Sequence, residues 1–127
     1  MASLTTSTIA ALGGKLAVDI ELSASNSNDN VTSATSGRIY VCQIDNTANS
    51  DAFYVKIRDA ASPSTSTVNG TGTPHIVLQC PARKKVTYAI PGGHAYAAGV
   101  SVWGGTSTTV GDTSAATNPV IVKLVCS

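Results

Sequence analysis

Charge is what this sequence has least of. Eight Lys and Arg and seven Asp and Glu in 127 residues amount to 12% charged, about half the roughly 25% of an ordinary globular domain. The formal net charge is only +1, and phosphate-backbone binding needs several clustered cations, so nucleic acid is not an expected partner. Aromatics are scarce as well, with four Tyr, one Trp and one Phe, which leaves Val, Ile, Leu and Ala to build the core. No run approaches the roughly 20 apolar residues of a membrane-spanning helix. The start, Met1-Ala-Ser-Leu-Thr-Thr-Ser-Thr-Ile-Ala-Ala-Leu12, has no basic stretch and its apolar residues are broken by hydroxyls, unlike a secretory signal.

Cysteine is limited to Cys42, Cys80 and Cys126, an odd number without metal-ligand spacing. The expectation is a reducing compartment and buried thiols that pack as small hydrophobes. A Cys42–Cys126 bridge stays open if their strands are neighbours. Histidine is limited to His75 and His94, nineteen positions apart with no His-x-His pair; a two-His-one-carboxylate site could recruit Asp112 or Asp45, but nothing in the spacing requires it. The acids Asp19, Glu21, Asp29, Asp45, Asp51, Asp59 and Asp112 fall on strand faces or in turns, where Asp is an ordinary turn former. No Gly-x-Ser-x-Gly elbow occurs, and Gly70-Thr-Gly72 and Gly104-Gly105 are too short to cradle phosphate. These absences predict a protein that is not an enzyme and binds no cofactor or metal.

What the chain does have is a rhythm of short β-rich runs between Ser, Thr, Asn, Gly and Pro clusters. Ser and Thr are close to a quarter of the residues, giving a polar but weakly charged surface that suits packing against a neighbour, since few charges must be desolvated. Leu16, Val18, Ile20 and Leu22 alternate with polar or small residues, the signature of a half-buried strand. Arg38 to Ile44 is apolar on both faces and reads as a central strand. Beyond the turn Asp45 to Asp51, Phe53, Val55 and Ile57 face inward while Tyr54, Lys56 and Arg58 face outward. His75 to Gln79 and Lys85 to Ile90 read as a hairpin-like pair, Pro91-Gly92-Gly93 as a turn that also holds His94, Gly99 to Trp103 as a strand and Pro119 to Cys126 as the last. The expected fold is all-β: a single-domain antiparallel β-sandwich of seven or eight strands, jelly-roll or Greek-key like, because a long loop precedes the final strand. Residues 15–127 form that domain, and residues 1–14 an N-terminal arm or edge strand. Val18, Ile20, Val41, Phe53, Val55, Ile57, Val86, Val100, Val122 and Leu124 are the expected core.

Two places stand out as contact candidates. Arg83-Lys84-Lys85 is the one charge cluster. It is either a solvated turn that discourages edge-to-edge aggregation or an electrostatic contact with an acidic neighbour. Leu4, Ile9 and Leu12 are anchors in a backbone-rich polar segment suited to strand addition, with Gly13-Gly14 letting it swing. Trp103 is expected in the core; a pocket around Trp103, Tyr96 and His94 would instead indicate a sugar platform.

The stretches Ile44-Asp-Asn-Thr-Ala-Asn49, Ala52-Phe-Tyr-Val-Lys-Ile-Arg-Asp-Ala-Ala-Ser-Pro63, Val86-Thr-Tyr-Ala-Ile-Pro-Gly-Gly93, Ala98-Gly-Val-Ser-Val102 and Val120-Ile-Val-Lys-Leu-Val125 resemble a small β-sandwich of tailed-phage virion proteins, of the capsid cement or decoration type. The resemblance lies in strand-and-turn patterns and supplies no catalytic residues. It implies a structural protein of the virion, assembled in the host cytoplasm, whose partners are the major capsid protein or other virion subunits. One small module offers a modest contact surface, so a cyclic homo-oligomer, such as a trimer, is expected to present several copies of one patch. The alternative class is a receptor- or glycan-binding module of a phage fibre, spike or cell surface.

Overall fold

A computed structural model describes residues 4–9, 14–19, 36–59, 73–109 and 114–127, with backbone alone for the first two segments and residue 101. These residues are all strand and connection, with no helix. Six strands carry described side chains: β3 (Gly37–Asp45), β4 (Phe53–Asp59), β5 (Ile76–Cys80), β6 (Lys85–Tyr96), β7 (Val100–Gly105) and β8 (Ile121–Cys126). They make two three-stranded antiparallel sheets, β8-β3-β6 and β5-β4-β7. Two backbone segments, β1 (Leu4–Ile9) and β2 (Gly14–Asp19), continue the first sheet outward from β8 as β1-β2-β8-β3-β6.

Period-two patterning decides what these strands bury. Phe53, Val55 and Ile57 from β4, Val100 and Val102 from β7, Ile39, Cys42 and Ile44 from β3, and Val122, Leu124 and Cys126 from β8 share one buried cluster. Each such side chain contributes roughly 1.5–3 kcal/mol on burial. Gly104, opposite Val55, is required by close approach: a Cβ there would meet the Phe53 ring at 2.5 Å. Val41 is only half-buried, against expectation. The inward residues of β3 step from Ile39 to Cys42 because the pairing register shifts between Ile39 and Val41, a bulge that turns Val41 to the other face. Val86 is partly buried against the cluster. Val18 and Ile20 lie outside the described side chains, although the backbone register sets Val18 opposite Lys123, which is exposed.

Three further expectations are corrected. Pro91-Gly92-Gly93 does not end a strand, and His94 does not sit on a turn. β6 runs through all four residues, with Ala89 opposite Val41 and His94 opposite Ile39, so five steps of β6 answer two of β3. Gly92 and Gly93, at φ +77° and +76°, allow the chain to bulge and rejoin the ladder. β5 and β6 are not a hairpin, because they belong to different sheets. Lys56 does face away from the cluster, yet it is only 1% exposed. Its Nζ donates to Thr109 O at 3.3 Å, and its register partner is the fully buried Trp103.

The chain changes sheet at β3–β4, β5–β6, β6–β7 and β7–β8. Only the β6–β7 crossing lies at the end where β4 finishes. There the Asp59 carboxylate accepts the backbone N–H groups of Ala97 at 3.0 Å, Ala98 at 2.8 Å and Gly99 at 3.2 Å. Those bonds, led by Ala97, hold its pKa below the ordinary carboxylate value. The folded value is lower than the unfolded value of about 3.9, so this contribution is complete above about pH 4 and is lost as pH falls through the folded value. Asp59→Ala is therefore expected to destabilise by about 2 kcal/mol at pH 7, with the gap to wild type closing progressively below pH 4 in urea unfolding.

Cys42, Cys80 and Cys126 are all buried thiols outside any disulfide. β3 and β8 are neighbours, but Cys42 stands opposite Leu124 and Cys126 opposite Ile39, so the open bridge does not form. Burial, with a smaller effect from Cys80, pushes the Cys42 thiol up to about 12, where it stays protonated and unreactive at neutral pH. Reductant should leave the melting temperature unchanged. A large drop in a reduced sample would reveal a stabilising bridge.

Candidate interaction surface

The basic cluster sits where the chain crosses from β5 to β6. Arg83, Lys84 and Lys85 are all exposed, and Arg83 takes a left-handed φ of 61°, uncommon for a long side chain. Lys85 reaches the Asp45 carboxylate at 3.6 Å. The same carboxylate accepts the Thr47 hydroxyl at 2.6 Å and the Thr47 N–H at 3.1 Å. The Thr47 hydroxyl is the main reason its pKa lies below the usual range. Lys85 is thus partly compensated, whereas Arg83 and Lys84 have no such contact among the described residues.

What fixes this turn is a set of three asparagines on other segments. Asn46 is fully buried and Asn49 nearly so. The Asn46 side-chain amide donates to Asp51 O at 2.8 Å and Pro81 O at 3.2 Å, tying the β3–β4 loop to the β5–β6 turn. Its Oδ1 accepts from Asn49 Nδ2 at 3.0 Å. Asn49 in turn pairs with the backbone of Asn118 in both directions, accepting its N–H at 2.8 Å and donating to its O at 3.1 Å. Asn118 Nδ2 donates back to Ala48 O at 2.9 Å. Backbone bonds from Asn46 N to Lys84 O at 2.9 Å and from Arg83 N to Asn49 O at 3.0 Å close the set. Three segments that change sheet, before β4, β6 and β8, are therefore stapled to one another, and the basic turn is held rigidly upon them.

The second contact candidate lies at the far edge of the same sheet. Leu4 and Ile9 are the first and last residues of β1, which pairs antiparallel with β2 from Leu4–Asp19 to Ile9–Gly14. Leu12 lies outside the described residues. Among the described residues β1 has no strand on its outer side, so its backbone edge faces away from the sheet. Leu4 and the basic turn share one end of the sheet, since Asp19, Val122, Ile44 and Val86 fall in a single register row. They are separated by four inter-strand steps, roughly 19 Å. The structure does not bring the two candidates together; they flank the sheet.

Trp103 is fully buried and Tyr96 is 2% exposed. His94 is exposed and meets the Tyr96 ring edge-on, centroids 4.9 Å apart. Two of the three aromatics named for a sugar platform thus present no stacking face. Among the described residues, no three His, Cys, Asp or Glu side chains gather as a metal site. Sequence reasoning missed Asn46, Asn49 and Asn118 as positioning residues. Asp45 to Asp51 reads as turn composition, and nothing local distinguishes an asparagine that satisfies its own loop from one that staples three.

Asn46→Ala strands buried carbonyls and the Asn49 amide, and is expected to destabilise by about 2–3 kcal/mol. Asn46→Asp should be worse at neutral pH, because a carboxylate cannot donate to the Asp51 and Pro81 carbonyls. Thermal unfolding of the two variants checks the order. In comparisons with protein-family models, curated proteins and solved structures, nothing matches this chain.

Proposed function

We propose that this chain is a single-domain jelly-roll β-sandwich acting as a non-enzymatic structural protein of a virion, where it binds and reinforces the capsid surface as a cement or decoration subunit. The observation that carries the reading is strand order. β2-β8-β3-β6 lies in one sheet and β5-β4-β7 in the other, with both contributing to one core. That interleaving, five strands with β1 against three, supports the jelly-roll reading, an architecture common among viral capsid domains. The partner is a major capsid protein or another virion subunit, and the protein works as a cyclic homo-oligomer, most simply a trimer.

The contact chemistry follows from the two flanking features. A strand edge at β1 offers backbone hydrogen bonds for strand addition. The stapled basic turn, where Arg83 and Lys84 have no ion pair among the described residues, supplies orientation and association rate toward an acidic surface. A standard specific interface needs roughly 800 Å² per partner, more than either feature alone provides, so repetition around a symmetry axis raises avidity.

Deletion of Ala2 to Leu12 should leave a folded domain, by circular dichroism, that occupies empty shells poorly. Arg83→Glu with Lys84→Glu should slow association and remove most of its salt dependence. Full occupancy by the deletion variant would take the N-terminal segment out of the mechanism. Absence of the protein from purified particles imaged directly would end the virion reading.

A further inference from the structure

At the end of the large sheet opposite the basic turn, the β6 bulge builds a second polar site. A cleft of about 410 Å³ is lined by Ser36, Arg38, Tyr40, Ala95, Tyr96 and Ser127, together with Gly37. Arg38 Nη1 donates to Gly92 O at 3.2 Å and Gly93 O at 3.4 Å, so the bulge holds the guanidinium by one nitrogen. Among the described residues the Nε–H and Nη2 donors have no partner, and they form the side of the fork that takes a carboxylate in two parallel bonds. Ser127 Oγ accepts the Arg38 N–H at 3.0 Å, and Ser127 N donates to Arg38 O at 2.9 Å. The serine hydroxyl thus sits fixed with its own hydrogen left to donate. The Tyr40 ring packs on Gly93, where a Cβ would lie 2.8 Å from Tyr40 Cε1 and 2.9 Å from Arg38 Cβ. One glycine without room for a side chain therefore positions both the cation and the aromatic wall.

We infer that this cleft binds a carboxylate-bearing sugar residue, a hexuronate or similar. The side chains described in its lining include one cation, Arg38, and no acid, so an anionic group of a ligand would meet the guanidinium there. The volume lies within the roughly 300–1,000 Å³ of small-molecule sites, far more than an inorganic anion fills. The aromatic wall of Tyr40 and the hydroxyls of Ser36 and Ser127 match the apolar face and hydroxyl rim of a sugar, while Arg38 matches its carboxylate. The site does not depend on the virion reading, because it lies at the other end of the sheet from the basic turn.

The test is a ¹⁵N-resolved NMR titration of the full chain with glucuronate, glucose, N-acetylaspartate amide and inorganic phosphate. Glucuronate should shift the Arg38 Nε–H, Tyr40 and Ser127 resonances saturably, and glucose should not. Arg38→Gln should weaken glucuronate at least tenfold and Ser127→Ala about threefold, with Arg38→Lys between them. If Arg38→Gln disturbs the bulge, the wild-type Nε–H shift and the Ser127→Ala ratio decide. The inference fails if glucuronate gives no saturable shift at Arg38 or if glucose binds as well. It fails equally if phosphate or N-acetylaspartate amide binds more tightly than glucuronate, the latter pointing to an acidic peptide.

Discussion

The constraint on which this molecule depends is the hydrogen-bonded set of Asn46, Asn49 and Asn118. Three of the four described changes of sheet occur at one end, where loop backbone would otherwise be buried without partners. Backbone groups left unpaired away from water destabilise by an amount comparable to a lost hydrogen bond. Two asparagine amides, each offering donors and an acceptor, satisfy carbonyls and N–H groups from three segments at once. Apolar residues could fill the same volume, but none could pair those groups. Loop order at this end is thus fixed by hydrogen-bond satisfaction, and the core strands are held in place between loops that cannot slide.

The opposite end is solved differently. There the Asp59 carboxylate gathers three consecutive N–H groups at the β6–β7 crossing, and Arg38 gathers two carbonyls of the β6 bulge. A carboxylate matched to donors and a guanidinium matched to acceptors do with single charges what the asparagines do with neutral amides. Charge-assisted bonds are the stronger kind, and the set gathered by Asp59 titrates with its carboxylate, whereas the asparagine amides carry no titrating group. In a chain with only 15 ionisable Lys, Arg, Asp and Glu side chains, committing two of them to backbone closure shows how much of the polar inventory serves the connections.

The sequence was most legible where one face is buried and the ladder is regular. Phe53, Val55 and Ile57 in β4 and Val122 and Leu124 in β8 could be assigned inward by alternation alone. Legibility failed wherever the third dimension redefined a local signal. Pro91-Gly92-Gly93 has the composition of a turn, and only the Arg38 contacts across the sheet turn it into a bulge. The Pro81 to Lys84 stretch joins two strands at hairpin spacing, and only the sheet each strand belongs to reveals a crossing. Lys56 reads as an outward lysine, yet the segment reaching Thr109 covers it. The contact candidates were legible as residue types, but their placement on opposite edges follows from β1 joining β2 and β6 joining β3, pairings of long sequence separation that no local window contains.

Scarcity of charge gives the few cations without an ion pair among the described residues their weight. On an ordinary surface, Arg83, Lys84 and Arg38 would be lost among opposite charges within a Debye length of roughly 8 Å. Here Arg83 and Lys84 stand at one end of the large sheet and Arg38 at the other, separated along β6 by most of a 12-residue strand. Measured along β3, where Arg38 and the Asp45 opposite Lys85 are seven residues apart, that is roughly 23 Å at about 3.3 Å per residue, well beyond the Debye length, so screening makes the two positive sites largely independent. Each is fixed by backbone closure at its own end, the first through the asparagines and the second through the glycine bulge. A substitution at one end can therefore alter its local recognition while leaving the charge presented at the other unchanged. The two proposed binding events, one to a protein surface and one to a small acid, would need no coupling between them.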